Sequence, residues 1–240
     1  MPNYCNNRLT IRGSKEDLLK FKEDVKVDDN IPLSFEKTVP IGEIDDWYNQ
    51  RCHEWGTKWD VNTGDTYFFD NSDDDNDRYI SYTFDTAWAP PCPWLEKTGK
   101  MYPQLSFELT FEEGGCCIYG IAEVVGGEYS DEDMDHHTYL QRFDEDFKEC
   151  VKEIRQLSQE DLIKYFSGIK NFTDYVEEEE KVEHEPPFNI NYDYFSIARV
   201  IVDCISFENL PMFMGVDWVD DEATSLFKEK LAAGNLEERN

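Results

Sequence analysis

Negative charge is the feature that most constrains how this chain can fold. The chain has 53 Asp and Glu residues against 23 Lys and Arg, a formal net charge of −30 over 240 residues. Such an excess destabilises a compact state through self-repulsion, and acidic chains with few aromatic residues stay disordered because they bury too little apolar surface. This chain is 40% hydrophobic and 15% aromatic, which is enough material for a core. The composition therefore predicts a folded polyanion.

The acidic residues are spread over the whole chain. Residues 1–127 hold 24 acidic and 12 basic residues, a net charge of −12, and residues 128–240 hold 29 and 11, a net charge of −18. The charge is therefore not an acidic tail on a neutral domain. Polyanionic surfaces repel nucleic acids and anionic membranes over about a Debye length. This disfavours direct binding of either and favours a basic protein as the partner.

The expected location is the cytoplasm. No stretch approaches the roughly 20 apolar residues of a membrane span, and the N-terminal residues lack the basic and apolar regions of a signal peptide. The seven cysteines are expected to be thiols in a reducing compartment.

Residues 1–127 show strand and helix patterns in alternation. Residues 4–11 alternate in the manner of a strand, and Ser14 is placed to cap a helix that follows directly. Further strands are predicted at 33–39, 66–69, 78–84, 105–111 and 118–125, and a helix at 93–101, with Gly126 and Gly127 ending the block. This order predicts an α+β fold, a mainly antiparallel sheet with helices on one face. It is taken as one domain, residues 1–127.

Residues 128–240 are predicted to be acidic and mainly helical. Apolar residues from Leu140 to Ile154 fall on one helical face, and Ser158 is placed to begin a second helix. Residues 177–185 form an acidic linker, and residues 195–205 and 223–233 are predicted as further helices.

Three motifs in the first half carry a family resemblance. They are MPNYCNNRL at residues 1–9, WGTKWD at residues 55–60 and FDTAWAPP at residues 84–91. Residues 1–125 resemble the YubB-like proteins of unknown function that bacteriophages and plasmids carry. The resemblance implies a ferredoxin-like fold without an iron–sulfur cluster and an origin in a mobile element of a bacterial host. It assigns no reaction and no catalytic residue, and the acidic C-terminal half departs from the family.

The acidic runs are the candidate partner-binding residues. B-form DNA presents one negative charge per about 1.7 Å of its axis, so carboxylates arranged in ridges could occupy a groove built for phosphates. For any single run a solvated surface is the alternative. The candidates are Asp73, Asp74, Asp75, Asp77, Asp131, Glu132, Asp133, Asp135, Glu177, Glu178, Glu179 and Glu180.

The tryptophan-containing motifs are the second candidate site. If the two motifs pack together, charged side chains lie among three indoles. This arrangement fits either a pocket for a small ligand or peptide, or a buried lysine–aspartate pair that fixes a loop. The candidate residues are Trp55, Lys58, Trp59, Asp60, Asp85 and Trp88.

Metal and catalytic motifs are weak in this sequence. Asp73, Asp75 and Asp77 have the spacing of a calcium loop, but Arg78 replaces its glycine and Phe84 its final glutamate. Asp135, His136 and His137 could bind a metal together with His53 or His184, although adjacent histidine side chains seldom converge. We expect no cofactor, no metal and no enzymatic activity.

Three functions remain open. The first is a non-enzymatic inhibitor, with a nucleic-acid mimic as one form of it, that binds a basic nucleic-acid-binding or defence protein such as a CRISPR or restriction nuclease. The second is an enzyme that uses Lys58, Asp60, Asp85 or His53 in a tryptophan-lined pocket. The third is an accessory module whose charge only keeps it soluble.

Overall fold

The structure, a computed structural model, describes residues 3–42, 45–61, 66–162, 200, 201 and 204. The chain divides into two compact units, Met1–Tyr139 and Leu140–Asn240. None of the described helices is both long enough and apolar enough to cross a bilayer. The described elements are β1 (Tyr4–Arg12), α1 (Lys15–Val25), a 3₁₀ turn (Phe35–Lys37), α2 (Trp47–Trp55), β2 (Tyr67–Asp70), β3 (Tyr79–Ala87), α3 (Cys92–Met101), β4 (Ser106–Glu113), β5 (Ile118–Val125), β6 (Glu128–Asp133), α4 (His136–Phe143) and α5 (Glu145–Arg155).

The first unit is built on one six-stranded antiparallel sheet. The strand order is β2-β3-β1-β4-β5-β6, and every neighbouring pair is antiparallel. The first four strands form two interleaved β-α-β units, in which β3 lies between β1 and β2, and β1 lies between β3 and β4. This is the ferredoxin-like arrangement, and β5 and β6 extend it as a meander. The predicted α+β antiparallel fold is confirmed.

Helices α1 and α3 pack on the same face of the sheet. Phe21 of α1 meets Phe107 of β4 with ring centroids 5.4 Å apart. The neighbour of Phe107 across the sheet is Val124 of β5, which faces Gly99 of α3. The aromatic content seen in the sequence therefore fills this layer between helices and sheet.

The turn from β1 into α1 follows its sequence signals. Ser14 has extended backbone angles, and its hydroxyl accepts a hydrogen bond from the backbone N–H of Asp17 at 3.1 Å. Glu16 and Asp17 lie in the first turn of the helix, where negative charge interacts favourably with the helix dipole. The predicted strand, cap and helix are confirmed here.

The strand predicted at residues 33–39 is wrong. Leu33 and Phe35 are both fully buried, which produces the two-residue period of a strand in the sequence. The backbone N–H of Phe35 instead donates to the carboxylate of Asp60 at 2.7 Å, and residues 35–37 turn as a 3₁₀ helix. A side chain 25 positions away replaces the neighbouring strand as hydrogen-bond acceptor.

Two glycines allow the sheet to continue past residue 127. Gly126 and Gly127 have φ values of +62° and +84°, which suits a two-residue hairpin turn with positive φ at both central positions. The chain reverses there and forms β6 against β5. The compact unit extends to Tyr139, past the domain boundary predicted at residue 127.

The described part of the second unit is helical. The predicted apolar face is interrupted at Asp144, whose carboxylate caps α5 by accepting from the N–H of Phe147 at 2.8 Å. The predicted cap at Ser158 is present, since its hydroxyl accepts from the N–H of Asp161 at 3.2 Å. The helix predicted at 223–233 lies outside the described residues.

Candidate functional site

The candidate acids of the β2–β3 turn, residues 71–78, are bonded within the chain. Asp73 pairs with Lys15 of α1, and Asp77 lies 3.6 Å from the Nε atom of Arg12. Asp75 pairs with Arg78. The carboxylate of Asp74 accepts a hydrogen bond from the N–H of Asn76 at 2.8 Å. The run is therefore a largely neutralised turn, although its sequence suggests a ridge of free charge.

The acids of β6 are different. This strand is the last of the sheet in the described part of the chain, and five of its six residues are exposed, Tyr129 being half-buried. Glu128, Asp131 and Asp133 form no ion pair with any described residue. With Glu132 they place four carboxylates on six consecutive residues of an edge strand.

The remaining acidic candidates separate into two groups. Asp135 caps α4, because its carboxylate accepts from the backbone N–H of Thr138 at 3.1 Å and from the Thr138 hydroxyl at 2.6 Å. Residues 177–180 lie outside the described part of the chain.

Of the tryptophan-motif residues, Trp55 and Asp60 are structural. Trp55 is fully buried, and its indole N–H donates to the backbone oxygen of Val39 at 2.9 Å. The carboxylate of Asp60 accepts hydrogen bonds from three backbone N–H groups and one hydroxyl. These donors are Phe35 N at 2.7 Å, Val61 N at 2.8 Å, Glu36 N at 3.4 Å and Ser34 Oγ at 2.6 Å.

Lys58 lies between two indoles. Its Nζ atom is 4.6 Å from the ring centroid of Trp59 and 4.5 Å from that of Trp88. The expected lysine–aspartate pair is absent among the described residues, since Asp60 serves the turn at 35–36. Asp85 accepts instead from the side-chain amide of Asn6 at 3.2 Å. The structure thus brings Lys58, Trp59 and Trp88 together, whereas Trp55 is buried in the core.

The backbone holds Trp88 in place. Its φ is +66°, an uncommon value for a bulky residue. Its N–H donates to the backbone oxygen of Asn3 at 3.0 Å. The hydroxyl of Thr57 bonds both the N–H and the oxygen of Ala87, at 3.0 and 3.2 Å. The two motifs are therefore joined by hydrogen bonds, as their proposed packing requires, and the Trp88 side chain is 40% exposed.

A thiol lies close to the acidic edge. Burial raises the pKa of Cys92 to about 11, despite a hydrogen bond from Tyr129 that lowers it. Burial also raises the pKa of Tyr129, with further contributions from Cys92 and from a hydrogen bond to Asp131. At neutral pH both groups are protonated, so this cluster supplies no thiolate nucleophile.

The described residues contain no group of three or more His, Cys, Asp and Glu that could hold a metal ion. His136 stacks on Tyr119 with ring centroids 4.6 Å apart, and His53 bonds the carboxylate of Glu54 at 2.9 Å.

Sequence reasoning missed Glu128 as a member of the acidic edge. The Gly126–Gly127 pair is the sequence signal that could have found Glu128, because such a pair is typical of a tight hairpin. The same pair also fits the end of a domain. The partners of the β2–β3 turn, Arg12 and Lys15, were missed because they lie about 60 positions away in the sequence.

Comparisons with known proteins give a domain-level match. Residues 54–152, which are 99 of the 240 residues, match the model of a family described as "Ferredoxin-like domain in Api92-like protein". The crystal structure of a protein api92 from Yersinia pseudotuberculosis is similar at 13% identity with a TM-score of 0.32, over 39% of this chain and 32% of that chain. The chain thus spans about a third of that relative, and this likeness supports no functional argument. No curated protein matches the chain.

The match confirms the ferredoxin-like domain. The motifs at residues 55–60 and 84–91 lie inside the matched stretch, and the motif at residues 1–9 precedes it. The matched family is described as Api92-like. A phage or plasmid origin is not addressed by the match and stays a prediction.

Proposed function

We propose that this protein is a non-enzymatic binding protein whose partner is a basic protein, and that the partner docks on the acidic edge strand β6. The observation that carries the proposal is the set of carboxylates on β6, three of which form no ion pair with a described residue. The net charge of −30 adds a long-range field that speeds association with a basic surface.

The geometry of β6 suits an extended basic segment. An edge strand offers backbone N–H and C=O groups on its outer side, and an added strand can pair with them. Side chains alternate between the two faces of a strand, so Glu128 and Glu132 point to one face and Asp131 and Asp133 to the other. A lysine- or arginine-rich strand beside β6 would meet carboxylates on both of its faces.

The spacing of the charges on β6 is the support for one class of partner. A β-strand rises about 3.4 Å per residue, and each strand of B-DNA carries one phosphate per about 3.4 Å of axis. Asp131 and Asp133, which share a face, are therefore about 6.8 Å apart, or two axial intervals of DNA phosphates, and Glu132 lies between them on the other face. This supports a nucleic-acid-binding protein as the partner, with its basic groove occupied and its activity inhibited.

The biological setting of the proposal is a bacterial host cytoplasm. The motif resemblance to mobile-element proteins supports a phage- or plasmid-borne accessory role directed against a host defence protein, for example a CRISPR or restriction nuclease.

The experiment compares two variants that remove the same number of charges from different places. One neutralises β6 (Glu128→Gln, Asp131→Asn, Glu132→Gln, Asp133→Asn), and the other neutralises the β2–β3 turn (Asp73→Asn, Asp74→Asn, Asp75→Asn, Asp77→Asn). Both have a formal net charge of −26, which is −30 plus four. Each is used to capture proteins from a bacterial lysate at low and high salt, and the captured protein is assayed for nucleic-acid binding.

The proposal predicts that the wild type and the turn variant retain the same basic protein at low salt and block its nucleic-acid binding. The β6 variant should lose it. Equal loss in both variants would show that net charge alone drives binding, and retention unchanged at molar salt would show that charge is not the main force. Capture of no basic protein at low salt would refute the proposal.

A further inference from the structure

The edge of the sheet opposite β6 is aromatic. In the described part of the chain β2 is the terminal strand on that side. Tyr67 and Phe69 of this strand are 76% and 56% exposed. The Phe69 ring lies 5.8 Å from that of the half-buried Tyr79 on β3. Tyr67 lies two residues before Phe69 and so on the same face of β2. Phe68, between them, points to the other face and packs against the core.

The charges beside this edge are neutralised locally. Asp70, the last residue of β2, pairs with Lys22 at 2.7 Å. In the adjoining turn Asp73, Asp75 and Asp77 pair with Lys15, Arg78 and Arg12. Four carboxylates are thus matched by four cations. Asp74 of the same turn has no cation among the described residues and accepts a hydrogen bond from the N–H of Asn76. In a chain of net charge −30, this edge is a place where another acidic molecule meets less repulsion than at β6.

The strand is also complementary to itself. In an antiparallel pair, residues directly opposite each other share a face. If Phe68 lies opposite Phe68 of a second copy, Tyr67 lies opposite Phe69 of that copy, and Phe69 opposite its Tyr67. All four exposed rings then fall on the same face in direct cross-strand pairs, which is a stabilising arrangement. One two-fold axis generates both contacts, as an isologous dimer requires.

We propose that β2 is a self-association site at which two copies of this chain pair antiparallel, with Phe68 on the two-fold axis. The sheet then continues across the dimer, and both β6 edges stay at its outer ends. The acids of β6 repel a copy at that edge, whereas the neutralised β2 edge accepts one.

The dimer has a characteristic response to salt. Two bodies of charge −30 repel each other at long range, and the Debye length falls from about 10 Å at 0.1 M salt to about 3 Å at 1 M. Dimerisation should therefore strengthen as salt is added. Binding of a basic partner to β6 should weaken over the same range, so the two surfaces are distinguished by the sign of their salt dependence.

The test is sedimentation equilibrium of the full chain, with reductant, over a range of concentrations at about 0.1 M and about 1 M salt. Phe69→Asp places a charge in the interface. Tyr48→Asp is the matched control, since it replaces a 43% exposed aromatic residue of α2 with the same charge. Tyr67→Asp provides a second interface variant.

The wild type and Tyr48→Asp should move from the monomer mass of 28.3 kDa toward twice that mass as concentration and salt rise. Phe69→Asp and Tyr67→Asp should remain monomeric with unchanged circular dichroism. A wild type that is monomeric throughout, a dimer that persists in both interface variants, or a dimer that dissociates on addition of salt would each overturn the proposal. The proposal would also be overturned if the wild type is monomeric and captures a lysate protein that Phe69→Asp does not capture.

Discussion

Replacement of Asp60 by alanine should destabilise the first unit strongly. Its carboxylate holds three donors at 2.8 Å or less, namely Phe35 N, Val61 N and Ser34 Oγ. Loss of a hydrogen bond to a charged group at a half-buried position costs about 1 kcal/mol per donor. The expected decrease in the free energy of unfolding is therefore about 3 kcal/mol. At about 4 °C per kcal/mol, the midpoint of thermal unfolding should fall by roughly 10 °C.

The chain offers a matched control for this variant. Asp85 belongs to the other tryptophan motif and accepts one hydrogen bond, from Asn6 at 3.2 Å near the surface. Asp85→Ala should cost about 0.5 kcal/mol, the range of ordinary surface substitutions. Asp60→Asn keeps one acceptor oxygen and should fall between the two variants.

The assay is urea unfolding followed by tryptophan fluorescence, because the buried Trp55 lies close to the affected turn. If Asp60→Ala and Asp85→Ala differ by less than about 0.5 kcal/mol, the 3₁₀ turn does not depend on the carboxylate. Asp60 would then be free to serve the alternative of a ligand pocket.

Three further predictions concern packing, pH and thiols. Gly99→Ala should lower the free energy of unfolding by about 1–3 kcal/mol in urea titrations, because an added Cβ would lie 2.5 Å from a valine methyl of β5; an unchanged midpoint would contradict the close contact. A hydrogen bond from Lys97 holds the pKa of Glu54 below its ordinary value of 4.5. The pair of Lys97 and Glu54 therefore stabilises the fold above pH 4.5. This stabilisation is lost as the pH falls through the pKa that Glu54 has in the folded state. The difference in unfolding free energy between wild type and Lys97→Met should therefore shrink on acidification, and a constant difference from pH 7 to pH 3 would exclude the pair. Burial raises the pKa of Cys5 to about 12. Iodoacetamide labelling at pH 8, read by mass spectrometry, should therefore modify the exposed Cys116 long before Cys5. Equal labelling rates of the two thiols would contradict the burial of Cys5.

Local patterns predicted the elements whose interactions are local. The strand at residues 118–125 was predicted with the bounds it has in the structure, since apolar alternation between turn residues is a signal within the strand itself. Ser14 and Ser158 were predicted as caps because a cap bonds a residue three positions away. The ferredoxin-like fold followed from the order of such elements and from the motif resemblance.

Interactions distant in the sequence account for the errors. The strand predicted at 33–39 is a turn because Asp60 binds its amides, and no local pattern reports an acceptor 25 positions away. The same applies to the candidate site. An acidic run and a free acidic surface look identical in sequence. Only the fold brings Arg12 and Lys15 to the β2–β3 turn, whereas Glu128, Asp131 and Asp133 of β6 form no ion pair with a described residue.

Amide hydrogen exchange of the full chain with its captured partner is the sharpest test of β6 as the partner-binding surface. In the free protein, the outward-facing amides of an edge strand exchange quickly because they have no protein acceptor. Residues 128–133 should become protected on binding, while residues 71–78 should exchange as before. Protection confined to the β2–β3 turn, or no protection at β6 in a saturated complex, would contradict the assignment of the acidic edge as the partner-binding surface.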